Sequence, residues 1–232
     1  RWQHSPLFPK LEFTTALQYL QHIEQLAPGS NPSTPPLPTW NSDLYLEFHR
    51  GCYTTHADQK RYNRRSEELL YQAELWASLA TIATGAPYPK AEIETLWKQV
   101  LLNQFHDILP GSAIPQVFID ANQAWKAVQQ AGTDLLQQAL TAIAEQIAFP
   151  MPPHADALPI VVFNALNWQR SQVVTLTLPT SSSWHVYDLE GQKLETQCFV
   201  TAASSAKSDE APVGDWSFQA THIPEIGYRC FW

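Results

Sequence analysis

The chain has 232 residues, 44% apolar and 12% aromatic, a length and content that favour folded units with a core over disorder. Its formal charge of −8 excludes the basic face of a phosphate-backbone binder, so nucleic acid is not an expected partner. Charged residues are only 16%, which leaves a surface rich in neutral polar groups and suited to neutral polar partners such as sugars.

The sequence opens on Arg1-Trp2-Gln3-His4-Ser5-Pro6, which has neither an initiating Met nor the apolar stretch of a secretory signal, and reads as cut from a longer polypeptide. Residues 14–26 predict a short helix, with Thr14 or Thr15 as N-cap and Leu17, Leu20 and Ile23 on one face. Five prolines in the eleven residues 28–38 predict a linker, because proline removes backbone donors and biases its neighbours to extended forms. Leu44, Leu46 and Phe48 then alternate as in a strand, and lead into His49-Arg50-Gly51-Cys52-Tyr53. Aromatic residues around Gly51 suit a sugar-binding floor; a plain strand feeding the next helix suits the residues equally.

Residues 54–149 predict three helices. Leu69, Leu70, Ala73, Trp76, Leu79 and Ala80 form the first stripe, ended by Gly85-Ala86-Pro87. Ile93, Leu96, Trp97, Val100 and Leu101 form the second. Pro115, harmless in a first turn, opens the third, carried by Phe118, Ala121, Trp125, Val128, Leu135, Ala139 and Ile143. Short breaks between amphipathic helices predict an antiparallel bundle. The cations of Lys60-Arg61-Tyr62-Asn63-Arg64-Arg65 read as a solvated helix face, with Glu67 and Glu68 in reach of Arg64 and Arg65.

After Pro150-Met151-Pro152-Pro153, strands are predicted over residues 159–164, 173–178, 184–189 and 228–232. Such spacing points to a β-sandwich of which only part is present, since the last strand leaves an edge that needs covering. The fold class is therefore α+β: a three-helix bundle followed by part of a β-sandwich domain. The implied divisions are residues 1–38, 39–150 and 151–232.

The strongest chemical feature is Asn103-Gln104-Phe105-His106-Asp107-Ile108-Leu109-Pro110-Gly111-Ser112, a His-Asp pair at a helix end. Neutral imidazole suits zinc, and a carboxylate beside it suits a ligand or a sugar hydroxyl. Adjacent helical residues diverge by about 100°, so separate roles are expected for His106 and Asp107. A pair that merely caps the helix is the competing explanation. His56-Ala57-Asp58 and His154-Ala155-Asp156 repeat the pattern His-x-Asp, but a pattern so short arises readily by chance. A thiolate pairing of Cys52 with His49 or His56 has no motif behind it. The chain contains no Gly-x-Ser-x-Gly elbow, P-loop or His-Glu-x-x-His. Three widely spaced cysteines, Cys52, Cys198 and Cys230, offer no CxxC pair and fit a reducing, cytoplasmic setting. No apolar run reaches the roughly 20 residues of a membrane-spanning helix.

Four of these segments, in order, resemble glycoside hydrolase family 38 α-mannosidases of the bacterial and cytosolic type. They are Leu44-Tyr45-Leu46-Glu47-Phe48-His49-Arg50-Gly51-Cys52-Tyr53-Thr54-Thr55 with the basic helix after it, Gln104-Phe105-His106-Asp107, Asn164-Ala165-Leu166-Asn167-Trp168, and Pro224-Glu225-Ile226-Gly227-Tyr228. The resemblance implies that His106 is a zinc (Zn) ligand and that Asp107 contacts hydroxyls of a bound mannose. It places His49 near the sugar subsite, although Golgi-type members have an aromatic residue there. It also implies that the other zinc ligands, the Asp nucleophile and the Asp acid/base precede Arg1, so this piece supplies no catalytic carboxylate. The implied partners are an α-mannoside and the rest of its own polypeptide. A helical interaction module and a carbohydrate-binding β-sandwich are the alternative functions.

Overall fold

The computed structural model describes residues 9–26, 38–42, 49–199 and 213–232. The chain divides into two compact units, Arg1–Arg50 and Gly51–Trp232. In the first, α1 (Ala16–Gln25) starts with a reciprocal cap: Gln18 N–H donates to Thr15 Oγ1 at 3.2 Å, and Thr15 N–H to Gln18 Oε1 at 3.3 Å. Its expected apolar face buries nothing within the unit, since Leu17 and Leu20 are both more than half exposed. The alternating segment 44–48 and nearly all of the proline-rich stretch lie outside the described residues.

The second unit begins with a three-helix bundle, α2 (Ala57–Thr84), α3 (Lys90–Asn103) and α4 (Pro115–Ala144). Gly85 ends α2 in the left-handed region at φ +77°, where a side chain is disfavoured, and Pro115 occupies the first turn of α4. Leu70, Leu96, Val100, Ala121, Trp125 and Val128 form one core in which all three helices meet. Gly132 permits the close approach of α2 and α4, because a Cβ there would lie 2.9 Å from Leu69 Cδ2. Gln59 is fully buried, yet satisfied: its Oε1 accepts from Trp125 Nε1 at 2.8 Å and its Nε2 donates to Asn122 Oδ1 at 2.8 Å. The short α3 presents only the narrow stripe Ile93, Leu96 and Val100 to its neighbours. Trp97 is therefore half-buried and Leu101 exposed, where the sequence pattern had put both on the inner face.

The β region holds β1 (Ile160–Asn164), β2 (Arg170–Pro179), β3 (Val186–Tyr187), β4 (Lys193–Leu194), β5 (Thr196–Phe199), β6 (Val213–Ile223) and β7 (Gly227–Phe231). All pairings are antiparallel: β1 with β7, β2 with β6 and β6 with β5, and β3 with β4. Val186, Phe218, Ala220, Ile223 and Phe231 make its core, flanked by Ile160, Val162, Val174 and Leu176. The chain is thus α+β, with a helical segment followed by antiparallel sheets. The strand expected over 184–189 shrinks to Val186–Tyr187, because Asp188 already turns the chain by accepting the Gln192 N–H at 2.7 Å. The longest strand, β6, carries no counterpart in the predicted elements.

Bundle and sheets share a further apolar cluster. Trp76, Ala77, Ala80 and Ala139 pack with Phe163 and Ala165, and Trp76 meets Phe163 edge-on with ring centroids 5.0 Å apart.

Candidate functional site

Helix α3 stops at Asn103, and residues 105–111 continue as a run of turns closed by Phe105 N–H to Leu102 O, Leu109 N–H to Phe105 O and Gly111 N–H to Ile108 O. Three attachments hold this loop against α2 and the turn that precedes it. Gln104 Nε2 donates to Asn63 Oδ1 at 3.0 Å and to Glu67 Oε1 at 2.9 Å. Lys60 Nζ donates to Leu109 O at 2.8 Å and also to Thr55 O. At Gly111, φ is +89° and a Cβ would lie 2.9 Å from Thr55 Cγ2 and 3.0 Å from Thr55 O, so the backbones touch where no side chain fits. Burial pulls the Lys60 ammonium below its usual value, against the raising influence of Cys52 and Asp58. That places Lys60 and Asn63 in structural work, where the sequence had suggested a uniformly solvated face. Arg64 does pair along the helix, with Glu68 at 3.2 Å and Glu67 at 3.8 Å.

Between these attachments the loop presents His106 and Asp107 outward, with side chains 79% and 56% exposed. His106 Nε2 lies 3.6 Å from Asp107 Oδ2, and the Phe105 ring packs beside the imidazole at 4.2 Å between centroids. Ser112 Oγ is at the limit of hydrogen-bond range from Asp107 Oδ1, 3.5 Å. The divergence expected of helical neighbours does not apply, because both residues lie past the end of α3 in the turns, and their side chains converge. An open imidazole–carboxylate pair on a fixed loop can ligate a cation or grip a hydroxyl.

His49 is exposed and belongs to the first unit, so it is placed there by itself. His56 starts α2 with φ +50° and stacks on Phe118 of α4, ring centroids 3.8 Å apart. Its Nδ1 is 3.6 Å from Asp58 Oδ1. Burial pushes the Asp58 carboxyl up, but hydrogen bonds from the Gln59 side chain and backbone and from its own N–H, with the nearby charge of His56, outweigh this and hold it below the usual range. His154 accepts the Asp156 N–H at 3.2 Å, a local turn in an exposed connector. Both His-x-Asp segments thus have local packing or turn roles.

The alpha mannosidase middle domain family matches residues 47–143, the stretch that contains α2, α3, all but the last residue of α4 and the His-Asp loop. Over 143 residues, 61% of this chain, it is 38% identical to alpha-mannosidase 2C1 of Mus musculus and 40% identical to that of Homo sapiens. The chain thus carries a segment of the alpha mannosidase middle domain family. It spans only 13% of the length of those two relatives. An alpha-mannosidase of Saccharomyces cerevisiae is 46% identical over 84 residues, covering 35% of this chain and 8% of the yeast protein. A crystal structure of a glycosyl hydrolase family 38 protein from Enterococcus faecalis covers 97% of the chain with a TM-score of 0.61. At 20% identity, and with 29% of that protein covered, it supports the fold alone.

No three His, Cys, Asp or Glu side chains among the described residues are grouped to hold a metal. His106 is an accessible imidazole of the type zinc takes, so the donor set fits one share of a zinc site. Sequence reasoning missed Lys60 as a tether and Gln104 as an anchor. The signal for Gln104 was its place in the quoted motif; that for Lys60 was only its position one helical turn from the chain reversal at Thr55-His56. Gly111→Ala is expected to destabilise the chain by about 1–3 kcal/mol through the disfavoured φ and the Thr55 contact, read as a lower denaturation midpoint. An unchanged midpoint would mean that the loop has room to move there.

Proposed function

We propose that this chain is part of a zinc-dependent retaining α-mannosidase that hydrolyses terminal α-mannosyl residues of oligosaccharides. His106 serves as one zinc ligand, while Asp107 and His49 contact the sugar. The supporting observation is the contrast within one loop: Gln104, Lys60 and Gly111 fix its backbone, yet His106 and Asp107 at its tip are left to solvent. A fold that spends three attachments on a loop while its tip is bare suits presentation of that tip to a ligand.

In this reading residues 1–38 end the catalytic domain, 39–150 form the middle domain and 151–232 begin a β-sandwich. The nucleophile and the acid/base come from a preceding part of the polypeptide, so these 232 residues alone hydrolyse no glycoside. Retention of configuration requires a carboxylate to attack the anomeric carbon while another protonates the leaving oxygen, and then water to release the sugar. Zinc supplies a Lewis-acidic template for sugar hydroxyls. His106 offers its imidazole, and Asp107 accepts hydrogen bonds from hydroxyls and so orients the ring. The partners are then an α-mannoside and the remainder of the polypeptide. Among the described residues no helix is long and apolar enough to cross a membrane. The sparse, unclustered cysteines suit the cytoplasm.

The test is Asp107→Asn in the longer protein, assayed on an aryl α-mannoside with metal content measured in parallel. Loss of a charged hydrogen bond to the substrate should lower kcat/KM by about tenfold or more, with zinc retained. Unchanged kcat/KM would remove Asp107 from the substrate site.

A further inference from the structure

A groove of about 700 Å³ lies between α2 and the β1–β2 turn, remote in sequence from the His-Asp loop on its β wall. Tyr71 and Glu68 stand on the helical wall, Asn167 and Trp168 on the other. Trp168 is 58% exposed, and Tyr71 is half exposed.

Four other tryptophans among the described residues serve the fold. Trp125 donates to Gln59, Trp184 Nε1 donates to Pro179 O at 2.8 Å, Trp76 packs on Phe163, and Trp232 packs on Phe149 with centroids 5.2 Å apart. The Trp168 indole has no such ring contact or hydrogen bond among the described residues. Its backbone, by contrast, is held firmly. Asn164 is buried, and its Nδ2 donates to Trp168 O at 2.8 Å and to Pro224 O at 2.9 Å, while its Oδ1 accepts the Leu166 N–H at 3.1 Å. Asn164 thus fixes the turn that displays the ring. The turn is fixed, yet the ring it displays is more than half exposed.

The groove's charges cancel: Arg64 and Arg170 are matched by Glu67 and Glu68. That balance disfavours a phosphate, a polycation or a metal ion as occupant. Aromatic faces offer apolar surface to the C–H face of a sugar ring, and carboxylates, amides and guanidinium groups offer paired hydrogen bonds to vicinal hydroxyls. We propose that this groove is a carbohydrate-binding site, separate from the His-Asp loop, that takes a neutral oligosaccharide with one ring stacked on Trp168 and hydroxyls held by Glu68 and Asn167. The site does not rest on the α-mannosidase reading, since none of its contacts involves His106, Asp107 or His49.

The experiment is a titration of the 232-residue chain, ¹⁵N-labelled at its nine tryptophan indoles, with neutral manno- and cello-trisaccharides. A saturable shift of the Trp168 indole N–H is expected with at least one of them. Trp168→Ala should abolish that binding as followed by saccharide-observed NMR, Trp168→Phe should retain it, and Glu68→Gln should weaken it about tenfold, the effect of about 1.4 kcal/mol. Glu67 is left alone because it anchors Gln104. The exposed ring of Trp168 makes the variants safe for folding, and preserved dispersion of the remaining indoles verifies it. His106→Ala should leave the titration unchanged. The proposal is overturned if no trisaccharide shifts the Trp168 indole, if folded Trp168→Ala binds as well as the parent chain, or if His106→Ala abolishes binding and so puts the sugar elsewhere.

Discussion

Trp125→Ala is expected to lower the stability of the chain by roughly 3–5 kcal/mol, seen as a large drop in the urea denaturation midpoint. The side chain is fully buried at the meeting point of α2, α3 and α4, so its removal takes away burial and leaves a cavity that two long helices cannot close. Its Nε1 also leaves Gln59 Oε1 without its donor in a site closed to water. Trp125→Phe separates the two effects: most apolar burial is restored, and a deficit of about 1–3 kcal/mol should persist from the unpaired carbonyl. Trp97→Ala is the control, and its half-buried indole should cost distinctly less. Equal losses from Trp97 and Trp125 would show that burial in the bundle is distributed otherwise than described.

His106→Ala carries the other large effect, and it falls on activity alone. In the 232-residue chain the change should stay within about 0.5 kcal/mol of neutral, because the imidazole is mostly in solvent and its Asp107 partner is exposed as well. On the proposed function, the same substitution in the longer protein removes one zinc ligand from a site that needs several. Zinc content and mannoside turnover should then fall together, by about 100-fold or more. Normal turnover with normal zinc would make His106 a surface residue and sink the functional reading. A large loss of stability in the short chain would point to a packing role instead.

The bundle was legible because burial follows the 3.6-residue period: Leu70, Ala73, Trp76 and Ala80 are inside where the stripe put them. The pattern misled where a helix has little to cover. Leu101 is as apolar as its neighbours, but α3 is only 14 residues long and turns one narrow face inward. Strand β6 escaped although Trp216, Phe218 and Ala220 alternate with Asp215, Ser217 and Gln219. Gly214, Asp215 and Gln219 are weak strand formers, and only pairing with β2 and β5 on both sides selects the extended form. At the candidate site, the His-Asp motif stood out in the sequence, but its rigidity did not. The tether from Lys60 to Leu109 spans 49 residues, and a contact that distant leaves no periodic trace.

The edge-on meeting of Trp76 and Phe163 has a consequence for how such a protein can be taken apart. The proline-rich connector at residues 150–153 looks like a natural cut site, and a recombination between relatives would tempt an engineer there. Yet the cut would strip Phe163 and Ala165 from Trp76, Ala80 and Ala139, and Trp232 from Phe149, baring apolar surface on both products. A chimera joined at that connector would inherit two faces shaped by different ancestors. A crossover in the turn Glu190-Gly191 would instead keep Trp76 with Phe163 and Ala165 in one parent, while parting Phe149 from Trp232 and β1 and β2 from β7 and β6.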